Sequence, residues 1–167
     1  MTSTISPPSK IEFHDLSDEL FAPFGQLLRR PLRPADIEKD WLCYWHCLAE
    51  IGFKHAPVWG FLEVRQRPRV LSELERHCRS QEVFIPMGGA SVMAFATGGS
   101  PDDPDAAPDL SSLRLFRLNG STAFIVNRGV WHTPAFPLTE SAGFLLALED
   151  ATPEKDLDVR PVGMIHL

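Results

Sequence analysis

Two stretches decide how this chain folds: ERHCRSQEVFIPMGG at residues 75–89 and NRGVWHTPAF at residues 127–136. Glu75 and His77 end a segment, Val70 to His77, that reads as a β-strand. Side chains on a strand alternate between its faces, so Glu75 and His77 point the same way and Arg76 points away from them. Glu82 and Gly89 follow at short spacing. In the second stretch Gly129 permits a close backbone turn just before Val130, Trp131 and His132. If the two stretches lie across one barrel interior, His132 joins Glu75, His77 and Glu82. Imidazoles and carboxylates converging on one pocket can hold a divalent cation or move protons, which makes the chain an enzyme candidate.

Outward from these stretches the pattern stays β. Val58 to Val64, Val70 to His77, Val83 to Met87, Val92 to Ala96, Thr122 to Val126 and Phe144 to Leu148 are short β-branched or aromatic segments punctuated by Gly and Pro. Their number and spacing predict a mainly β domain, a sandwich or barrel, over residues 11–167, with residues 1–10 as a flexible lead-in containing Pro7 and Pro8. Leu16, Leu20 and Phe21 predict a short helix over 15–24 that ends at Pro23 and Gly25. A turn of helix is expected at 35–39 and a strand in the aromatic run 41–46. The polar loop TGGSPDDPDAAPD at 97–109 interrupts the strands, and Leu110, Leu113 and Phe116 predict a helix over 110–118 before the Asn119–Gly120 turn.

Composition narrows the function. The 167 residues carry 16 basic and 22 acidic side chains, a net charge of −6, and the arginines are scattered, so nucleic acid is not an expected partner. No apolar run approaches the ~20 residues that span a bilayer, and MTSTISPPSK lacks a signal-peptide core, so a soluble, cytoplasmic protein without a membrane partner is expected. Cys43, Cys47 and Cys78 have neither zinc-finger spacing nor an even count, which fits reduced thiols. His14, His46, His55 and His166 stand without partners at motif spacing, and Phe84 and Trp131 read as core.

The first stretch, as EXHXXXXEXXXXXXG from Glu75 to Gly89, resembles the first cupin motif, with Glu75 where that motif has its first His. Gly129, two residues and His132 match the second cupin motif, whereas its earlier proline is missing and Phe136 replaces its Asn. The segments FAPFGQLL at 21–28, ERHCRSQEVFIPM at 75–87, APDLSSLRLF at 107–116 and NRGVWHTP at 127–134 resemble, in order and approximate spacing, the ureidoglycolate lyases, a cupin family. Glu82 stands where that family usually has Gln, and Thr133 where it has a second His.

That resemblance implies a cupin-like antiparallel β-barrel with a few peripheral helices, a homodimer, and cleavage of ureidoglycolate, a product of purine-ring breakdown, to glyoxylate and urea. The substrate is a hemiaminal, so its cleavage needs a base for the C2 hydroxyl, a cation for the carboxylate and a proton for the departing nitrogen. His132 and Glu82 are the expected proton carriers, Arg128 the carboxylate partner, and His77 a second acid or a metal ligand. The reaction needs no redox or phosphate cofactor. A divalent metal ion held by His77, Glu82, His132 and Glu75 is the alternative to a metal-free site. Two other readings stay open at this level: a metal-dependent cupin enzyme acting on another small hydroxy- or oxo-acid, and a non-catalytic cupin that binds a small anion.

Overall fold

The computed structural model describes residues 12–167, so the lead-in expected over residues 1–10 lies outside the described residues. In chain order the first strands are β1 (Phe13–Asp15), β2 (Gly25–Leu28), β3 (Ile37–Lys39), β4 (Leu42–Tyr44), β5 (Pro57–Arg65), β6 (Val70–Arg76) and β7 (Glu82–Gly88). They continue as β8 (Ser91–Ala96), β9 (Arg114–Leu118), β10 (Ala123–Val126), β11 (Trp131–His132), β12 (Phe136–Pro137), β13 (Ser141–Glu149) and β14 (Asp158–His166). Two one-turn helices, α1 (Asp18–Phe21) and α2 (Thr152–Lys155), sit beside them.

One sheet runs β1-β9-β8-β11-β6-β14, with β12 also on β8, and the other runs β2-β10-β7-β13-β5. All pairings are antiparallel except β1 with β9. The mainly β, cupin-like fold expected from the sequence is therefore present, as two sheets in a jelly-roll-like arrangement that does not close into a barrel.

Phenylalanine fills the space between the sheets. Phe84 of β7 stacks on Phe124 of β10 at 4.9 Å, and the fully buried Phe21 meets Phe95, Phe116 and Phe124 edge-on at 5.2, 5.5 and 5.6 Å. Each such ring stabilises the fold by about 1.5–3 kcal/mol through burial alone. Phe21 also explains the brevity of α1. Ser17 caps it by accepting from the Leu20 N–H, and with Phe21 and Phe24 both committed to the core the chain turns into β2 at Gly25.

Three sequence expectations are corrected. Residues 37–39 form a strand where a turn of helix was expected, because Asp36 accepts from the His46 N–H at 2.8 Å and from Arg33, closing a β3–β4 hairpin. Residues 110–118 are a 3₁₀ turn at Leu110–Ser112 followed by strand β9, not a helix. Leu115 packs in one buried cluster and Phe116 and Leu118 in another, so a strand covered on both faces produced the helical-looking spacing. The expected helix over 15–24 contracts to α1 alone.

Arg76 faces away from Glu75 and is 1% exposed. Its guanidinium pairs with Asp158 at 2.8 Å, donates to the carbonyls of Ser100 and Asp103, and lies 4.5 Å from the centre of the Trp131 ring. With Arg160 on the Pro104 carbonyl and Trp131 on that of Gly98, it pins the acidic 97–109 loop against its sheet. Arg76→Ala is expected to cost about 1.5–3 kcal/mol in urea denaturation, because Asp158 is left with Arg160 alone and the Ser100 and Asp103 carbonyls each lose one of their two donors. A loss below about 1 kcal/mol, the size of an exposed ion pair, would show that the loop is held some other way.

Candidate active site

β6 delivers Glu75 and runs into His77, β11 places His132 directly across from Glu75, and β7 opens with Glu82. The four side chains that the two sequence stretches single out therefore meet. The His77 and His132 rings are 5.4 Å apart, and His132 rests against Phe84 and Phe95 at 6.2 and 6.4 Å, at the edge of the phenylalanine core. Glu82 Oε2 lies 3.3 Å from His132 Nε2 and 3.5 Å from His77 Nε2, and Glu75 Oε1 lies 3.9 Å from His132 Nε2. His132 is 2% exposed and Glu82 6%.

Backbone carbonyls settle which ring nitrogen faces the cluster. His77 Nδ1 is 2.8 Å from the Asp156 carbonyl and His132 Nδ1 is 3.0 Å from that of Val130. A carbonyl oxygen only accepts, so both Nδ1 atoms carry hydrogen and each ring turns its Nε2 inward, where the neutral form has its lone pair. The pocket is then lined by acceptors: two Nε2 atoms and two carboxylates. Among the described residues, Glu82 Oε2 and His132 Nε2 are buried with no hydrogen-bond partner.

Such a set needs positive charge, as a metal ion or as a proton. Burial works to lower the His132 pKa, but the neighbouring Glu82 carboxylate, then Glu75 and the Val130 carbonyl, outweigh it and raise the pKa above the ordinary imidazole value. The donor chemistry equally suits a divalent ion. One ligand atom from each of Glu75, His77 and His132 lies within 4.8 Å of the others, and imidazoles held by Nδ1–H bonds to carbonyls are oriented as metal ligands are.

Arg128 is not brought into this cluster. Its guanidinium turns to Asp102 Oδ2 in the pinned loop at 3.2 Å. Thr133 and Glu75 open on a small cleft of about 100 Å³ that also contains Arg67. A larger cleft of about 780 Å³, between α1, β2 and residues 29–33, contains none of the cluster residues. Cys78, next to His77, is no activated nucleophile, since burial raises its thiol pKa. Asp156, which holds His77, carried no local signal in the sequence because it lies 79 residues further along the chain.

Fold and site together define a cupin-like protein with a histidine–carboxylate cluster between two sheets. The model of the ureidoglycolate lyase family matches residues 8–164, and the chain belongs to that family. It is 34% identical over 157 residues to the ureidoglycolate lyase of Salmonella paratyphi B, covering 91% of this chain and 95% of that protein. It is 35% identical over 141 residues to the ureidoglycolate lyase of Escherichia coli, covering 81% and 85%. The solved epimerase RmlC from Legionella pneumophila superposes on 63% of this chain and 54% of its own, at 16% identity and a TM-score of 0.41.

Chelator-treated protein titrated with Co²⁺ is expected to take up about one equivalent, with visible absorption from nitrogen and oxygen ligands, and His132→Ala to lose that uptake while staying folded. A titration silent both in calorimetry and in the spectrum would leave a proton as the charge that the pocket holds.

Proposed function

We propose that this chain is a ureidoglycolate lyase, releasing glyoxylate and urea in purine and allantoin breakdown. The observation that carries the reading is the cluster of acceptor groups from Glu75, His77, Glu82 and His132 in a member of this family. Neither another small hydroxy- or oxo-acid substrate nor simple anion binding has an observation in its favour.

An Nε2 bound to a cation has no lone pair left for a proton, so the four residues divide. Glu75, His77 and His132, one ligand atom of each within 4.8 Å of the others, would hold a divalent ion. When bound, that ion supplies charge for the substrate carboxylate and hydroxyl and lowers the hydroxyl pKa. Glu82, with an unpartnered buried oxygen, carries the proton. Its carboxylate accepts the C2 hydroxyl proton; the O–H electron pair becomes the second bond of the glyoxylate carbonyl as the C–N bond breaks. The departing urea nitrogen then takes the proton from Glu82, so the carboxylate ends as it began. Phe84 and Phe95, packed on His132, keep the pocket wall apolar. Arg128, which pairs with Asp102 in an exposed ion pair, has no role in this scheme.

Purified protein supplied with racemic ureidoglycolate, corrected for spontaneous decay, is expected to release glyoxylate and urea in equal amounts without ammonia. Glu82→Gln, which restores the residue usual in the family, should keep Co²⁺ uptake and lose about 10²–10⁴-fold in kcat, the range of a removed acid–base group. An unchanged kcat would take the proton relay away from Glu82, and no turnover by the unsubstituted protein would overturn the lyase reading.

The proposal includes a homodimer and a cytoplasmic location. Among the described residues no helix is long and apolar enough to cross a membrane. β5 ends its sheet, paired with β13 on one side only among the described residues, and its Trp59 and Phe61 are 67% and 63% exposed, the kind of edge and apolar surface that proteins cover. Light scattering is expected to give twice the 18.7 kDa chain mass, and Trp59→Arg to shift it toward the monomer. A monomeric unsubstituted protein would remove the dimer, and a dimer unaffected by the substitution would move the interface elsewhere.

A further inference from the structure

We infer that Asp156 is the positioning residue for His77: it fixes the imidazole tautomer from outside the pocket and so makes Nε2 available to the reaction site. The inference deepens the reading just proposed and rests on the place of His77 in it.

Asp156 sits at the end of α2 and is 8% exposed. Its carbonyl accepts the His77 Nδ1–H at 2.8 Å. Its carboxylate does different work on the same turn: Oδ1 accepts the Cys78 N–H and Oδ2 the Arg79 N–H, each at 2.8 Å. Three consecutive residues, His77 to Arg79, are thus gripped by one aspartate through three bonds. Hydrogen bonds to an ionised acceptor are shorter and about twice as strong as neutral ones, so the carboxylate clamp sets where the carbonyl stands relative to the ring.

The opposite wall completes the grip. The Gly129 N–H donates to the His77 carbonyl at 2.7 Å, tying the turn to the loop that leads into His132. α2 is itself anchored, since the Asp156 N–H donates to Thr152 and the Thr152 hydroxyl donates to the Glu149 carbonyl at 2.6 Å. β13 therefore locates α2, α2 locates Asp156, and Asp156 locates His77. Without the clamp the ring is free to exchange its Nδ1–H and Nε2–H tautomers, and the second form places a hydrogen where a lone pair is needed.

Asp156 does not reach the pocket, so the test must read the ring itself. Protein labelled with ¹⁵N-histidine, with His77 assigned through a His77→Gln variant, is studied by long-range ¹H–¹⁵N correlation near pH 8, where an ordinary imidazole is neutral. The unsubstituted protein should show a single His77 tautomer with hydrogen on Nδ1. Asp156→Asn keeps one carbonyl acceptor but turns an NH₂ toward a backbone N–H; a folded Asp156→Asn should show mixed tautomers and a Co²⁺ affinity reduced about 10–100-fold, the usual cost of losing a ligand's outer partner. Asp156→Ala should show the larger effect if it folds. Glu154→Gln, on the exposed side of α2, should change neither. A folded Asp156→Asn with the unsubstituted tautomer and Co²⁺ affinity would overturn the inference. The tautomer is readable without metal or substrate, so failure of the lyase assay leaves this test intact.

Discussion

The Nδ1–H of His77 is committed to the Asp156 carbonyl and that of His132 to the Val130 carbonyl, and the rest of the site follows from those two bonds. With both ring hydrogens facing outward, the inner nitrogens meet Glu82 and Glu75 with nothing to donate to them. An arrangement of acceptors alone is unstable in a buried space unless a cation or a proton enters it. The same arrangement explains the rise in the His132 pKa, since protonation is the one remedy that the chain can supply from its own residues.

The surrounding fold keeps this unfavourable group in place. Phe84 and Phe95 belong to the central core and touch His132, so the imidazole cannot swing outward without opening an apolar cavity. On the outer side of the same sheet, Arg76 holds the 97–109 loop through Asp158, Ser100 and Asp103. Alternate residues of one segment therefore serve two purposes: Glu75 and His77 build the pocket while Arg76 fastens the loop behind it.

Much of this was legible because a strand has a period of two. That rule alone predicts that Glu75 and His77 share a face and that Arg76 does not, and family motifs add His132 and Glu82. Where the rule failed, burial on both faces was the cause: Leu115 of β9 packs in one apolar cluster and Phe116 in another, so both are inside and the alternation disappears. β14 escaped notice because Pro161 and Gly163 interrupt its pattern, and a register shift between Pro161 and Ile165 accommodates them. The role expected of Arg128 came from the family resemblance, and sequence shows its proximity to His132 along the chain but not the direction of its side chain, which pairs with Asp102. Asp156 was invisible for the opposite reason, since its contact with His77 exists only after β13 has crossed the sheet.

Charge then separates this pocket from the pattern usual in its family. With Gln at position 82 the neutral-imidazole cluster would carry one negative charge, from Glu75; with Glu82 it carries two. A substrate carboxylate entering within about 4 Å of either would meet roughly 4 kcal/mol of repulsion at an effective dielectric near 20. Binding an anionic substrate beside two carboxylates therefore requires compensation of matching size, and a divalent ion supplies two positive charges where a single imidazolium supplies one. The extra carboxylate raises the demand for that ion and, with one oxygen left unpartnered, also provides a proton acceptor that Gln cannot. One substitution thus ties cation binding and proton transfer together in this chain.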